Sequence, residues 1–173
     1  MDKIKPAIEA LIFAADAPLT RERIVAIFDD VDAAVVKNAL NELCVENTER
    51  GIYLEEVAGG LQFRTKQEYA PWVRKLRGGK PFSFSRAAME TTVIIAYRQP
   101  ITKSEIDRIR GVDSGGSIKN LLEKKIIRIV GRLDEPGKPI LYGTTKKFLE
   151  VFSLKDISEL PTIQEMQELE MIK

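Results

Sequence analysis

Residues 11–21 read LIFAADAPLTR, and residues 93–103 read VIIAYRQPITK, which is the same pattern 82 positions later. Apolar residues, a proline and a threonine recur at matching places in the two segments. The match continues without a gap, because residues 36–40 (VKNAL) fall on residues 118–122 (IKNLL). One offset that serves about 30 residues indicates an internal duplication, and therefore two related domains.

The first copy has the residue order of three helices followed by a β-hairpin. Its first helix is predicted from apolar residues that share one helical face, at Ile4, Ile8, Leu11, Ile12 and Ala15. Thr20 is placed to cap a second helix, and a third helix has Val36 and Leu40 inward. Segments 52–57 and 61–65 flank Gly59-Gly60, as in a hairpin whose glycines form the turn. A closing helix is predicted from Tyr69, Trp72, Val73 and Leu76.

The second copy repeats this order with a stronger helix start. Thr102 and Glu105 fit the capping box, in which each side chain pairs with the backbone N–H of the other residue. Its third helix has Ile118, Leu121 and Leu122 inward, and its wing runs over 126–132 and 140–144. The sequence therefore predicts a mainly α protein with small β-hairpins, of the α+β class, built as two tandem winged-helix domains.

Composition places the bounds of these domains. The N-terminal winged-helix domain is predicted over residues 1–78, followed by a linker at 79–84 that begins with Gly79-Lys80-Pro81. The C-terminal winged-helix domain is predicted over residues 85–154. Residues 155–173 form an acidic tail, which we expect to be at most partly ordered.

The remaining bulk features narrow the class of protein. No apolar run approaches the about 18 residues that a transmembrane helix needs, so we expect no membrane association. Cys44 is the single cysteine, which excludes an intramolecular disulfide, and we expect it to be buried on the apolar side of the third helix. These features are typical of a cytoplasmic protein.

The composition of the chain argues against a catalytic serine in the segment Gly111-Val112-Asp113-Ser114-Gly115-Gly116. The chain contains no histidine, so Ser114 lacks the commonest general base. We expect Asp113 or Ser114 to cap the third helix of the second copy instead. Residues 77–81 also lack the spacing of a phosphate-binding loop. We therefore expect a protein that is not an enzyme and that has no cofactor and no metal site.

DNA binding is the alternative that the residues leave open, because a winged helix can place its third helix in the major groove. Residues 81–155 contain 14 basic and 8 acidic residues, whereas residues 156–173 contain 1 basic and 5 acidic residues. The candidate DNA contacts are Lys119, Lys124 and Arg132. The acidic residues Glu123 and Asp113 partly offset the positive charge of this surface. A sequence-specific transcriptional regulator is therefore the second hypothesis.

Several strings of the second half resemble one family. They are SRAAME at 85–90, IAYRQPIT at 95–102, IRGVDS at 109–114 and LYGTT at 141–145. They are similar to the family of bacterial segregation and condensation protein B, and the resemblance extends over about residues 4–161. One departure is the pair Gly115-Gly116, where that family more usually has a single glycine.

The resemblance implies a non-enzymatic accessory subunit of the bacterial SMC complex, which acts in chromosome condensation and segregation during the cell cycle. It implies a homodimer, formed by the first domain, that binds the kleisin subunit, segregation and condensation protein A. The kleisin bridges the SMC ATPase heads. Any DNA contact would be weak or indirect, and the protein would be associated with the nucleoid through the complex.

Candidate kleisin contacts lie in the second domain. They are Tyr97, Arg98, Gln99, Arg110 and Asp113. An aromatic ring and forked donors are the groups enriched where proteins meet. The sequence does not assign the apolar residues through which the first domain would dimerise.

Overall fold

A computed structural model describes residues 3–46, 50–78, 83–162 and 165. The chain divides into two compact units. Unit 1 comprises Met1–Pro81 together with Ser153–Lys173, and unit 2 comprises Phe82–Phe152. Each unit has three helices followed by an antiparallel hairpin, so the winged-helix prediction is confirmed for both.

Unit 1 follows the predicted order. Its elements are α1 (Ile4–Ala14), α2 (Arg21–Ile27), α3 (Ala33–Glu46), β1 (Ile52–Val57), β2 (Gly60–Thr65), a short 3-10 helix (Gln67–Tyr69) and α4 (Ala70–Arg77). Thr20 caps α2 as predicted, because its hydroxyl accepts a hydrogen bond from the backbone N–H of Arg23 at 3.2 Å.

The core of unit 1 is formed by the inner faces of the first three helices and the hairpin. The buried side chains are those of Ile8, Ile12, Ile24, Val36, Leu40, Leu43, Leu54 and Leu61. The predicted inward positions Ile8, Ile12, Ile24, Val36 and Leu40 are therefore confirmed, whereas Ile27, also predicted to face inward, is 42% exposed. Burial of each such side chain contributes about 1.5–3 kcal/mol.

The turn of the first hairpin differs by one residue from the prediction. Ala58 and Gly59 form it, with φ angles of 52° and 76°. Gly60 is instead the first residue of β2 and pairs with Val57. A Cβ atom on Gly60 would lie 2.8 Å from the carbonyl carbon of Pro18, so this glycine permits a close backbone approach.

The chain returns to unit 1 after unit 2. The backbone N–H of Ala58 donates to the carbonyl of Leu154 at 2.8 Å. A 3-10 helix follows at Ile157–Glu159, inside the segment predicted as the acidic tail. Asp156 caps this helix, because its carboxylate accepts a hydrogen bond from the backbone N–H of Ser158. The sequence also places Leu160, Ile163, Met166 and Leu169 at helix-like spacing, and the last three of these lie outside the described residues.

Unit 2 also follows the predicted order. Its elements are α5 (Arg86–Arg98), β3 (Ile101–Thr102), α6 (Lys103–Arg110), α7 (Gly115–Glu123), β4 (Ile127–Arg132), β5 (Ile140–Thr144) and α8 (Lys146–Phe152). Its sheet has the order β3-β5-β4, and both pairings are antiparallel. Phe84, predicted as linker, stacks on Phe152 with ring centroids 5.6 Å apart.

The two units bury equivalent residues of the repeat. Ile24 and Ile106 are both fully buried, at 0% exposure. Leu19 forms a bridge to Leu61 in unit 1, and its counterpart Ile101 pairs with Tyr142 in unit 2. The internal duplication inferred from sequence is thus a duplication of structure.

The prediction that Cys44 is buried was wrong. Its side chain is exposed on α3, with the Sγ atom 3.9 Å from a guanidinium nitrogen of Arg21. Leu40 and Leu43 take the inward positions on that side of α3. Cys44 follows Leu43 directly, so it lies beyond the edge of the buried face of α3.

Candidate functional site

The amide of Gln99 connects the end of α5 to β5. Its Oε1 atom accepts hydrogen bonds from the backbone N–H of Thr144 at 2.7 Å and from the Thr144 hydroxyl at 3.0 Å. The amide nitrogen donates to the carbonyl of Ala96 at 3.4 Å. Gln99 was predicted as a partner contact, but its amide group is used within unit 2.

Thr102 and Glu105 form the predicted capping box at the start of α6. Glu105 accepts from the backbone N–H of Thr102 at 2.9 Å, and the Thr102 hydroxyl accepts from the backbone N–H of Glu105 at 3.4 Å. The hydrogen bonds from the hydroxyl and then the backbone of Thr102 lower the pKa of Glu105.

Asp107 connects α6 to the start of α7. It accepts from the Lys103 ammonium group at 2.6 Å, from the Ser114 backbone N–H at 2.8 Å and from the Ser114 hydroxyl. Hydrogen bonds from Lys103 and then from Ser114 lower the pKa of Asp107 to about 2. Ser114 is completely buried, so its hydroxyl is a structural donor rather than a nucleophile.

Asp113 performs the predicted capping role at α7. Its carboxylate accepts from the backbone N–H of Gly115 at 3.1 Å and forms an ion pair with Lys103. The Lys103 hydrogen bond and then that of Gly115 lower the pKa of Asp113. Its side chain remains 73% exposed, so a partner could still reach it.

Arg110 is not the exposed cation that its position suggested. Only 7% of its side chain is exposed, and a terminal guanidinium nitrogen donates to Glu90 at 3.4 Å. Its Nε atom is buried without a hydrogen-bond partner among the described residues. A partner could meet this guanidinium only at its edge.

Tyr97 and Arg98 are the predicted contact residues whose side chains lie on the surface of α5. Sequence reasoning missed Met89 and Val93, which are exposed on the same helix at positions i−8 and i−4 relative to Tyr97. The i, i+4 spacing of Met89, Val93 and Tyr97 is visible in the sequence and indicates one shared face of the helix. We call Met89, Val93, Tyr97 and Arg98 the α5 surface.

Unit 1 exposes a group of large apolar side chains, which we call the apolar face. Phe13, Ile52, Tyr69, Trp72 and Leu76 form it, with exposures of 77%, 36%, 38%, 65% and 87%. Phe13 and Ile52 line one shallow depression, Tyr69 packs near Gly51, and the rings of Tyr69 and Trp72 are 6.1 Å apart. The helix predicted at 69–76 therefore directs much of its apolar side to the surface.

The predicted DNA contacts Lys119, Lys124 and Arg132 are all exposed in unit 2. Arg132 lies on β4, where a guanidinium nitrogen donates to the carbonyl of Lys138 at 3.2 Å. Lys119 lies on α7, and Lys124 follows its last residue. The structure thus places them on the third helix and wing of unit 2.

The described residues offer no grouping of His, Cys, Asp or Glu side chains suited to a metal ion. Besides the exposed cations of the third helix and wing of unit 2, the candidate surfaces are the apolar face of unit 1 and the α5 surface of unit 2. The family model for segregation and condensation complex subunit ScpB matches residues 6–163. The chain belongs to the ScpB family. Of the two functions left open by the residues, this membership supports the interaction subunit.

Curated ScpB relatives match nearly the whole chain. Segregation and condensation protein B of Syntrophotalea carbinolica is 50% identical over 96% of this chain and 85% of its own length. The segregation and condensation protein B homolog of Coxiella burnetii is 43% identical over 100% of this chain and 86% of its own length.

Solved ScpB structures are also similar. ScpB from Mycobacterium tuberculosis is 33% identical, covers 88% of this chain and 96% of its own, and has a TM-score of 0.41. A dimer of an ScpB N-terminal domain complexed with ScpA peptide is 36% identical, covers 43% of this chain and 95% of its own, and has a TM-score of 0.38.

Within the part of this ScpB-family chain that the structure describes, none of the helices has the length and apolar character required to cross a bilayer.

Proposed function

We propose that this chain is a non-enzymatic subunit of the bacterial SMC complex that binds the kleisin ScpA and acts in chromosome condensation and segregation. The observation that carries this proposal is the match to the ScpB family over residues 6–163. The protein would act in the cytoplasm, at the nucleoid, through its complex. Exposed surfaces on both units support a function in binding proteins.

Unit 1 is the proposed dimerisation domain, and its apolar face is the proposed interface with a second copy. Trp72 and Leu76 project from α4 with 65% and 87% exposure. Monomeric proteins rarely leave a large contiguous apolar patch in water, because burial of such a patch is favourable. A second copy of unit 1 would cover these side chains.

Unit 2 is the proposed kleisin-binding domain, and its α5 surface is the proposed contact. Met89, Val93 and Tyr97 supply apolar area, and Arg98 supplies a forked donor beside it. Aromatic residues and arginine commonly carry much of the binding energy at interfaces. The predicted contacts Gln99 and Arg110 would support this surface from inside, whereas Asp113 would lie at its edge.

The test is co-expression with the kleisin, followed by size-exclusion chromatography with light scattering. We expect a dimer of this chain that elutes together with ScpA. The double variant Trp72→Ser and Leu76→Ser should be monomeric at low micromolar concentration. Val45→Ser is the matched control, because Val45 is an exposed apolar residue of α3, and it should leave the dimer intact.

Kleisin capture is tested by a second pair of variants. Val93→Ser combined with Arg98→Glu should lower the affinity for ScpA by at least about tenfold, which corresponds to about 1.4 kcal/mol. Ile129→Ser, which alters an exposed apolar residue of β4, should not change it. Equal capture by all three proteins would contradict the α5 assignment, and failure of the parent chain to bind ScpA would contradict the function itself.

A further inference from the structure

Unit 2 has a group of exposed basic side chains on its third helix and wing. We call Lys119, Lys124, Lys125, Arg128, Arg132 and Lys138 the basic wing surface. Lys119 lies on α7, Lys124 and Lys125 lie in the turn that follows, Arg128 and Arg132 lie on β4, and Lys138 lies beside Arg132. None of these residues belongs to the α5 surface.

Several carboxylates elsewhere in unit 2 are paired with other cations. Asp107 and Asp113 are paired with Lys103, and Glu90 is paired with both Arg86 and Arg110. In contrast, none of the described carboxylates forms an ion pair with Lys119, Lys125, Arg128, Arg132 or Lys138. Three acidic residues do lie nearby in the chain, at Glu123, Asp134 and Glu135. The basic wing surface therefore keeps an excess of positive charge.

The two arginines are held along the wing by backbone carbonyls. Arg128 Nε donates to the carbonyl of Thr144 at 3.4 Å, and a terminal nitrogen of Arg132 donates to the carbonyl of Lys138 at 3.2 Å. A guanidinium group has five N–H donors, so most remain available to an anion. These contacts reduce the side-chain entropy that binding would otherwise cost.

The spacing of these cations fits a repeating anion. Arg128 and Arg132 lie on either side of an irregularity in β4 and pair with Gly143 and Ile140, which are three positions apart on β5, or about 10 Å at the rise of an extended chain. A DNA strand carries one phosphate per about 3.4 Å of helix axis, so both arginines can meet the backbone of one duplex. In a winged helix the third helix and the wing both reach DNA, and here both carry lysine or arginine.

We propose that unit 2 contacts the phosphate backbone of double-stranded DNA through the basic wing surface, without selecting a sequence. Phosphate contacts fix position and supply salt-sensitive affinity, whereas selection requires side chains that read base edges. The exposed side of α7 combines Lys119 and Asn120 with the acidic Glu123, which weakens any close approach to bases. This contact goes beyond the proposed function, because a kleisin-binding subunit needs no DNA contact of its own.

The experiment measures fluorescence anisotropy of a labelled duplex of about 30 base pairs with the full chain, between about 50 and 200 mM salt. The test variant carries Arg128→Gln, Arg132→Gln and Lys138→Gln. The matched control carries Lys3→Gln, Arg23→Gln and Lys37→Gln, which remove the same charge from exposed positions of unit 1. Because each phosphate contact contributes about 0.9 to the salt slope, the test variant should lose up to about 3 in slope and at least tenfold in affinity.

The control variant should stay within about twofold of the parent, and duplexes of different sequence should bind equally. Equal losses in the two triple variants would overturn the proposal, because net charge alone would then explain binding. Undetectable binding by the parent at about 50 mM salt would also overturn it, as would tighter binding of polyglutamate than of DNA, which would indicate an acidic protein partner.

Two further measurements keep the result interpretable. If circular dichroism shows that the triple variant is unfolded, the single exposed substitutions Arg132→Gln and Lys138→Gln replace it, and each should lower the salt slope by about 1. The triple variant should still capture ScpA. Loss of DNA contact with retained capture would therefore separate this proposal from the proposed function.

Discussion

Gln99 and Thr144 lie 45 residues apart in the chain, and one oxygen of Gln99 accepts two hydrogen bonds from Thr144. The contact joins the end of α5 to β5, next to Gly143, where a Cβ atom would lie 3.0 Å from the same oxygen. Three of the residues predicted to contact the kleisin, Gln99, Arg110 and Asp113, form hydrogen bonds within unit 2. These polar residues therefore contribute to the internal structure of unit 2.

Substitution of Gln99 should destabilise unit 2. Gln99→Ala leaves the partly buried N–H of Thr144 without its acceptor, and such a loss costs about 1–3 kcal/mol of unfolding free energy. Urea denaturation followed by circular dichroism measures the change. Asn120→Ala, at an exposed amide on α7, is the control, and an equal loss there would contradict the structural role of Gln99.

Acid should weaken unit 2 through Asp107. Its pKa in the folded protein is about 2, below the usual 3.8, so the carboxylate stabilises the fold above about pH 4. This stabilisation is lost as pH falls from about 4 through about 2, because the unfolded state takes up the proton first.

The measurement is the urea midpoint of unit 2 at several pH values for the parent and for Asp107→Asn. The variant should have a lower midpoint near neutral pH and a smaller further decrease between about pH 4 and pH 2. Asp134→Asn, in the exposed wing turn, should retain the parental pH dependence. Parallel curves for the parent and Asp107→Asn would show that Asp107 does not contribute.

The paired glycines at the start of α7 should respond oppositely to alanine. A Cβ atom at Gly116 meets nothing within 4 Å, so Gly116→Ala should raise stability by about 0.5–1 kcal/mol through helix propensity. At Gly115 the added atom would lie 3.2 Å from Asp113 Oδ2 and 3.3 Å from Lys103 Cε, so Gly115→Ala should disturb the capping contacts. Thermal melts of the two variants measure this difference. A higher melting temperature for Gly115→Ala than for Gly116→Ala would contradict the described start of α7.

The equivalent threonine caps of the two units allow a direct comparison. Thr102→Ala removes a reciprocal capping box at a residue that is 2% exposed, whereas Thr20→Ala removes a single 3.2 Å hydrogen bond at the start of α2. Loss of a cap costs about 0.5–2 kcal/mol, and we expect Thr102→Ala near the upper end and Thr20→Ala near the lower end. Chemical denaturation of both variants measures the difference, and equal costs would contradict it.

The sequence predicted the duplication, the order of elements and the caps, because these depend on local spacing and on residues such as Thr102 and Glu105. It did not predict which polar residues were free. Arg110 and Glu90 are 20 residues apart and are brought together only when α6 packs against α5. Cys44 shows the same limit, since helical periodicity locates a face only to within about one residue.

The exposure of Trp72 on α4 determines what optical experiments on this protein can report. It is the only tryptophan in the chain, so indole emission comes entirely from unit 1. With 65% of its surface exposed, the indole should emit at long wavelength in the monomer and shift to shorter wavelength when another molecule covers it. Tryptophan fluorescence therefore reports association at the apolar face. It does not report the unfolding of unit 2 alone, because unit 2 contains no tryptophan.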